Sequence, residues 1–209
     1  MKIYLLLAHP DKDTFNGRLA DAYENAARSK GHEIVRQNLG EMRFDPILWK
    51  GYKTSQTLEP GLEEAQANIV WCDKWVIFYP VWWGSVPAIF KGFLDRTLCP
   101  GFAFKQHEKG PFWDKLLKGR TAEIITTSDA PWWWLLLQYR NSDINTMKRA
   151  TLYYCGISPV KLIRIGNVKN LTEKDKEAWI QKVVRKIKPT KTKFSGTYPV
   201  NEKRKQLQH

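Results

Sequence analysis

Three short stretches of this chain combine residue types that could hold and turn over a ligand. The first, His9-Pro10-Asp11-Lys12-Asp13-Thr14-Phe15-Asn16, leads into a helical pattern. A helix start presents unpaired N–H groups and the positive end of the helix dipole, and both suit a phosphate. Thr14 and Asn16 add side-chain donors and Lys12 or His9 could add positive charge, although Thr14 or Asn16 would serve equally as a plain helix cap. In the second, Tyr79-Pro80-Val81-Trp82-Trp83-Gly84-Ser85-Val86-Pro87, two indoles stand beside a glycine. A flat heteroaromatic ligand would find stacking surface and close backbone donors together there. The third, Thr127-Ser128-Asp129-Ala130-Pro131-Trp132-Trp133-Trp134, runs on into Leu135-Leu136-Leu137. Three consecutive bulky residues cannot share one face of a helix or strand. At least one of these indoles is therefore exposed or touches a ligand or second chain; core, interface and substrate lid all stay open. The chain has neither G-x-G-x-x-G nor G-x-x-x-x-G-K-S/T, so a dinucleotide fingerprint and a nucleotide-hydrolysing loop are both excluded.

Positioning these loops is a matter of strand and helix alternation. Short apolar runs at Ile3–Ala8, Glu33–Asn38, Lys74–Tyr79, Thr121–Thr127 and Val160–Ile165 read as strands, several of them apolar on both faces. Helical patterns separate them: Asn16–Lys30 closed by Gly31, Pro60–Val70, Pro87–Leu98, Asn141–Cys155 and Thr172–Lys188. Thr172 and Asp175 suggest a capped start to the last. Residues 39–59 read as an irregular segment wrapping the sheet edge, and 101–113 as a long loop. The pattern predicts an α/β fold, a flavodoxin-like doubly wound parallel sheet of five strands in the order 2-1-3-4-5 with helices on both faces. Ligands of such sheets bind outside the carboxyl ends of the strands, where the three loops lie. Residues 1–188 form this domain, and 189–209 an extended basic tail.

The run His9…Thr14-Phe15-Asn16, then Phe78-Tyr79-Pro80-Val81-Trp82-Trp83-Gly84-Ser85-Val86-Pro87-Ala88-Ile89-Phe90-Lys91-Gly92-Phe93-Leu94-Asp95-Arg96 and Gly101-Phe102-Ala103-Phe104, resembles the flavodoxin-like NAD(P)H:quinone oxidoreductase family over residues 1 to about 166. The resemblance implies non-covalent FMN or FAD, NAD(P)H as co-substrate, a planar quinone-like acceptor and a homodimer with the site at its interface. By the same resemblance Thr14, Phe15 and Asn16 hold the flavin phosphate. Pro80, Val81, Trp82, Trp83 and Gly84 line the ring, with N–H groups near Trp82 and Trp83 facing O4 and N5. FMN is favoured, because the chain is short and the loop beyond Gly101 offers no adenine pocket. The third loop departs from the family's Gly-Gly. Ser128-Asp129 stands there with Thr127, and an acid beside the pyrimidine end would oppose an anionic reduced ring. Either Asp129 points elsewhere, accepting from the ring N3–H for instance, or the potential is lowered. Trp132 and Trp133 are candidates for substrate contact. A quinone also needs a proton, for which Tyr139, His107 or solvent are the candidates; His107 reads equally as an ordinary loop histidine.

Charge and cysteine usage bound the partners. The sequence carries 34 Lys and Arg against 21 Asp and Glu, a net +13, of which residues 161–209 hold +10. No helix-turn-helix, zinc-finger or RNP pattern accompanies that charge, so nucleic acid is not expected. Cys72, Cys99 and Cys155 lack metal or disulfide spacing, and the first apolar run is too short for a signal peptide, so a cytoplasmic protein with reduced thiols is expected. Two rival readings share the fold. One is a flavodoxin-type electron carrier, which typically presents an acidic face. The other is an ancillary regulatory flavoprotein of a potassium-efflux antiporter, for which the basic tail would meet a membrane-protein partner.

Overall fold

The structure, a computed structural model, describes residues 1–190. Five strands form one parallel sheet: β1 (Lys2–Leu7), β2 (Glu33–Asn38), β3 (Lys74–Pro80), β6 (Thr121–Thr127) and β7 (Val160–Ile165), ordered β2-β1-β3-β6-β7. That is the order 2-1-3-4-5 expected of the sequence. Strands β2, β6 and β7 keep the predicted limits. The helices are α1 (Phe15–Ser29), α2 (Pro60–Trp71), α3 (Ala88–Thr97), α4 (Trp132–Leu137), α5 (Ser142–Ile144) and α6 (Glu173–Arg185).

Apolar side chains alternate across the sheet into two cores. Leu19, Tyr23 and Ala27 of α1 and Ile180 and Val183 of α6 pack with Leu5, Phe78 and Ile125 on one face. On the other, Leu62 and Ile69 of α2 and Phe90 and Phe93 of α3 pack with Leu6, Ile77 and Ile124. Burial of the whole set supplies the main driving force, about 1.5–3 kcal/mol for each large apolar side chain. Helix ends obey local rules. Gly31 takes φ +79° after α1, and the predicted cap of α6 is a full capping box, with Thr172 Oγ1 accepting from the Asp175 amide at 3.2 Å and Asp175 Oδ2 accepting from the Thr172 amide at 3.0 Å.

Several expectations are corrected. The long loop after Gly101 contains an antiparallel hairpin, β4 (Phe104–Gln106) with β5 (Trp113–Lys115). Its side chains are used in packing, with Trp113 stacked on Tyr154 at 4.3 Å. The expected helix over 141–155 is α-helical only at its ends and π-helical over Asn145–Tyr153. The last helix stops at Arg185, three residues early. Instead of only wrapping the sheet edge, segment 39–59 runs across α2 and α3. It is anchored by buried Arg96, which donates to the carbonyls of Asp45 and Thr57 and pairs with Glu59 at 2.8 Å. A Cβ at Gly92 would meet Pro46 at 2.4 Å, so α3 must be smooth there. The predicted basic tail lies outside the described residues except for Pro189 and Thr190; Thr190 donates to Lys30 and Gly31 carbonyls beside α1. Among the described residues no helix is long and apolar enough to cross a membrane.

Candidate functional site

The topological switch point lies between β1 and β3, and the loops that follow β1, β3 and β6 meet there. In the first loop Thr14 is the N-cap of α1, its Oγ1 accepting from the Gly17 amide at 3.3 Å. The Thr14 amide donates to Lys12 O at 2.8 Å, folding the loop back over the helix start. Gly17 permits that fold, because a Cβ there would lie 1.8 Å from Lys12 O. Among the described residues the amides of Phe15 and Asn16 have no acceptor, as expected of a first helical turn. Asn16 is 4% exposed; its Nδ2 donates to Thr127 Oγ1 at 2.7 Å, while its buried Oδ1 has no partner among the described residues.

The charges expected in this loop fall differently. Lys12 pairs with Glu41 at 2.6 Å, and that hydrogen bond raises the amine and lowers the carboxyl from their ordinary values. His9 Nδ1 accepts from the Asp11 amide at 2.9 Å, which leaves the proton of the neutral ring on Nε2. Burial lowers its pKa, so His9 offers an N–H rather than a charge. Its ring meets Trp82 edge-on at 5.5 Å.

The second loop is a two-residue turn. Trp82 and Ser85 exchange backbone hydrogen bonds of 3.0 and 2.9 Å around Trp83 and Gly84, whose φ angles are +51° and +66°. Two successive positive φ values define the turn type suited to a tight hairpin. The amides of Val81 and Trp82 are both spent, on Thr127 O at 2.7 Å and on Ser85 O. Of the amides near Trp82 and Trp83, those of Trp83 and Gly84 are the ones without an acceptor among the described residues. Trp83 is 100% exposed at the turn's tip.

In the third loop Ser128 donates through Oγ to Ala130 O at 2.7 Å and through its amide to Ile165 O at 2.9 Å. Asp129 accepts from the Lys169 amide at 3.2 Å, so its carboxylate is drawn toward the turn after β7. Trp132, Trp133 and Trp134 on α4 are 62, 47 and 42% exposed, and core packing is excluded for all three. Leu135 alone of that helix is buried. Tyr139 lies against the second loop, 3.3 Å from where a Gly84 Cβ would stand.

His107 is not brought to these loops within the chain. It sits in the β4–β5 hairpin, exposed, 3.2 Å from Asp114. A network beneath the site has no counterpart among the residues expected from the sequence. Ser142 Oγ donates to Gly84 O at 2.6 Å, and Asp143, wholly buried, takes a two-pronged bond from Arg164 of β7 at 2.9 and 3.0 Å. Arg164, the second of two cations in the strand run Val160–Ile165, was the available signal. Burial and the Asp143 charge push the Tyr79 hydroxyl well above its ordinary value, and it donates to Asp143 O at 3.5 Å.

Among the described residues the Phe15 and Asn16 amides are free to donate to an anion, and those of Trp83 and Gly84 to a planar acceptor-rich ring. The Oδ1 of Asn16, buried and without a partner among the described residues, is a further polar position beside them. Among the described residues no cluster of His, Cys, Asp and Glu could hold a metal. A cavity of about 1200 Å³ opens at the opposite, amino end of the strands, lined by Lys2, Trp71, Lys161 and Lys186, and it shares no residue with this site.

A family model described as flavodoxin-like fold, Flavodoxin_2, matches residues 1–188. An uncharacterised NAD(P)H oxidoreductase of Haemophilus influenzae is 29% identical, over 89% of this chain and 94% of its own. NAD(P)H dehydrogenase (quinone) 1 of Rattus norvegicus is 27% identical, over 78% and 69%. The crystal structure of Smu.1420 from Streptococcus mutans superposes with a TM-score of 0.75 at 28% identity, over 88% of this chain and 97% of that one.

Proposed function

The chain belongs to the Flavodoxin_2 family of flavodoxin-like folds, and from that membership we propose that it is a flavin-dependent NAD(P)H oxidoreductase acting on a planar, quinone-like acceptor. The names of its relatives support the activity, since NAD(P)H oxidoreductases and quinone-reducing NAD(P)H dehydrogenases are the proteins it is similar to. One observation carries the reading: four amides that have no acceptor among the described residues, at Phe15, Asn16, Trp83 and Gly84, stand in adjacent loops at the switch point beside two exposed indoles. Hydride transfer from NAD(P)H to the acceptor is the chemistry that a bound flavin supplies.

The chain's own contribution is binding and orientation. Thr14, Phe15 and Asn16 hold the phosphate, with the His9 Nε2–H as a further donor. Pro80 to Gly84 carry the ring, while Thr127, held by Asn16, and Ser128 close its other side. Because Asp129 is drawn to the Lys169 amide, its charge is kept off the reduced ring. Trp132 and Trp133 supply the planar surface for the acceptor, and Tyr139 the proton that a quinone requires. FMN fits better than FAD, because the hairpin beyond Gly101 is filled by its own Trp113–Tyr154 stack. Trp132, Leu136 and Leu137 on the short helix α4 and Trp83 on the second loop are large apolar side chains left exposed, of the kind that a second copy covers, which supports a homodimer. Free cysteines support a reducing, cytoplasmic setting.

Anaerobic titration of FMN-reconstituted protein with NADPH tests the proposal. One equivalent bleaching the flavin band near ~450 nm is expected. Protein that takes up no flavin, or a bound flavin that NAD(P)H leaves oxidised, overturns it.

A further inference from the structure

The two ring-facing donors assigned above depend on a turn that is uncomfortable for its own sequence. Trp83 holds φ +51°, a region that a bulky L residue rarely occupies, and Gly84 follows at +66°. The Trp82–Ser85 pair of hydrogen bonds closes the turn but leaves the Gly84 carbonyl unaccounted for by backbone donors. Ser142 takes it, with Oγ 2.6 Å from Gly84 O. The Gly84–Ser85 peptide is thereby held at both ends, its C=O by Ser142 and its N–H by Trp82 O. With that peptide fixed, the neighbouring planes that carry the Trp83 and Gly84 amides lose most of their freedom.

Ser142 is itself immobilised. Its amide donates to Tyr139 O at 2.9 Å, and the Tyr139 ring covers Gly84 from the same side. The next residue, Asp143, is wholly buried and clamped by Arg164, which also donates to Asn141 Oδ1 at 2.8 Å. A rigid sheet strand thus anchors the hydroxyl through one buried ion pair. We propose that Ser142 is a positioning residue of the cofactor site, locking the Trp82–Ser85 turn so that the Trp83 and Gly84 amides are preorganised for the flavin ring. The inference rests on the flavin reading for its ligand. Preorganised donors around a ring whose charge changes on reduction tune both affinity and potential.

Ser142→Ala removes only the hydroxyl, and Ser142→Thr retains it. In the protein without FMN, hydrogen exchange at the Trp82 and Ser85 amides should quicken about tenfold in Ser142→Ala, with core amides unchanged, and should return toward wild type in Ser142→Thr. In FMN-loaded protein the alanine variant should bind about tenfold more weakly and shift its midpoint potential, again rescued by threonine. Wild-type protein that takes up no FMN sinks the flavin reading. FMN uptake by wild type, beside a Ser142→Ala variant of unaltered local exchange and potential, sinks the role of Ser142. Faster exchange spread over the whole chain also overturns it, since that outcome reports general destabilisation.

Discussion

Replacing Gly17 by alanine should damage both the fold and the cofactor site, against the ordinary expectation for a glycine inside a helix. On helix propensity alone, Gly→Ala would stabilise α1 by about 1 kcal/mol. The added methyl, however, would lie 1.8 Å from Lys12 O and 2.9 Å from Lys12 C, where real side chains essentially never come within 3.0 Å. The backbone of the first loop has to retreat by more than an ångström. That carbonyl accepts the Thr14 amide, and Thr14 Oγ1 accepts the Gly17 amide, so the retreat breaks the cap as well. Overpacking of this kind costs about 1–3 kcal/mol and a lost cap about 1 kcal/mol. The net loss is then about 1–3 kcal/mol, a drop of roughly 2–12 °C in Tm for a chain of this size. FMN affinity should fall at least about tenfold as the Phe15 and Asn16 amides move. Urea unfolding of the FMN-free protein and fluorescence titration with FMN separate the two effects. Gly61→Ala in α2 is the control, because its methyl would meet only the flexible end of Met42 at 3.3 Å; it should be neutral or mildly stabilising. A Gly17→Ala variant as stable and as tight for FMN as wild type would refute the placement of Lys12 O and the phosphate role of this loop.

Three further perturbations probe separate features. Arg164→Met leaves the Asp143 carboxylate buried without its partner. It should cost about 3–5 kcal/mol in urea unfolding, with most of that recovered by the double change Asp143→Leu, Arg164→Met; a double variant no better than the single one would contradict the pairing. Burial pushes the Cys72 and Cys155 thiols up to about 12, so at pH 8 only about one in ten thousand is the reactive thiolate. Alkylation of native protein, read by peptide mass spectrometry, should therefore be confined to half-buried Cys99, and equally fast modification of Cys72 would show that the core is not closed around it. Leu137→Glu places a charge on the most exposed apolar side chain of α4 and, under the proposed homodimer, should leave a monomer in light scattering where wild type is a dimer; a wild-type monomer at micromolar concentration would refute the proposed interface.

What the sequence made legible follows from how much of each feature is local. Strands β2, β6 and β7 were readable to the residue, since each is a short run bounded by turn or charged residues and buried by the sheet. Helix α4 was not, because only Leu135 of its six residues is buried, leaving no apolar stripe to detect. Pro131 before it was the one start signal. The hairpin escaped because its strands are three residues long. Thr14, Asn16 and the Trp82–Gly84 run could be nominated from residue type. Which amides remain free could not, because that depends on the positive φ of Trp83, a choice imposed by tertiary contacts. The Asp143–Arg164 pair joins residues 21 apart on different elements and has no local pattern.

The same contrast explains why a tryptophan stands where asparagine is the usual choice. A turn with two positive φ values favours Asn-Gly, and a bulky residue at its first position costs about 1–2 kcal/mol. Asn would satisfy the backbone but would put a small polar group at a tip that here carries a fully exposed indole. The turn is closed instead by two backbone bonds, the Ser142 hydroxyl and the Tyr139 ring. Each hydrogen bond contributes about 0.5–1.5 kcal/mol, enough together to offset the strain. The sequence therefore places a local conflict at the carboxyl end of the central strand and resolves it through Tyr139, Ser142 of α5 and, behind them, Arg164 of β7. Conflicts of that kind gather where a binding site needs rigid donors and an aromatic surface at one point.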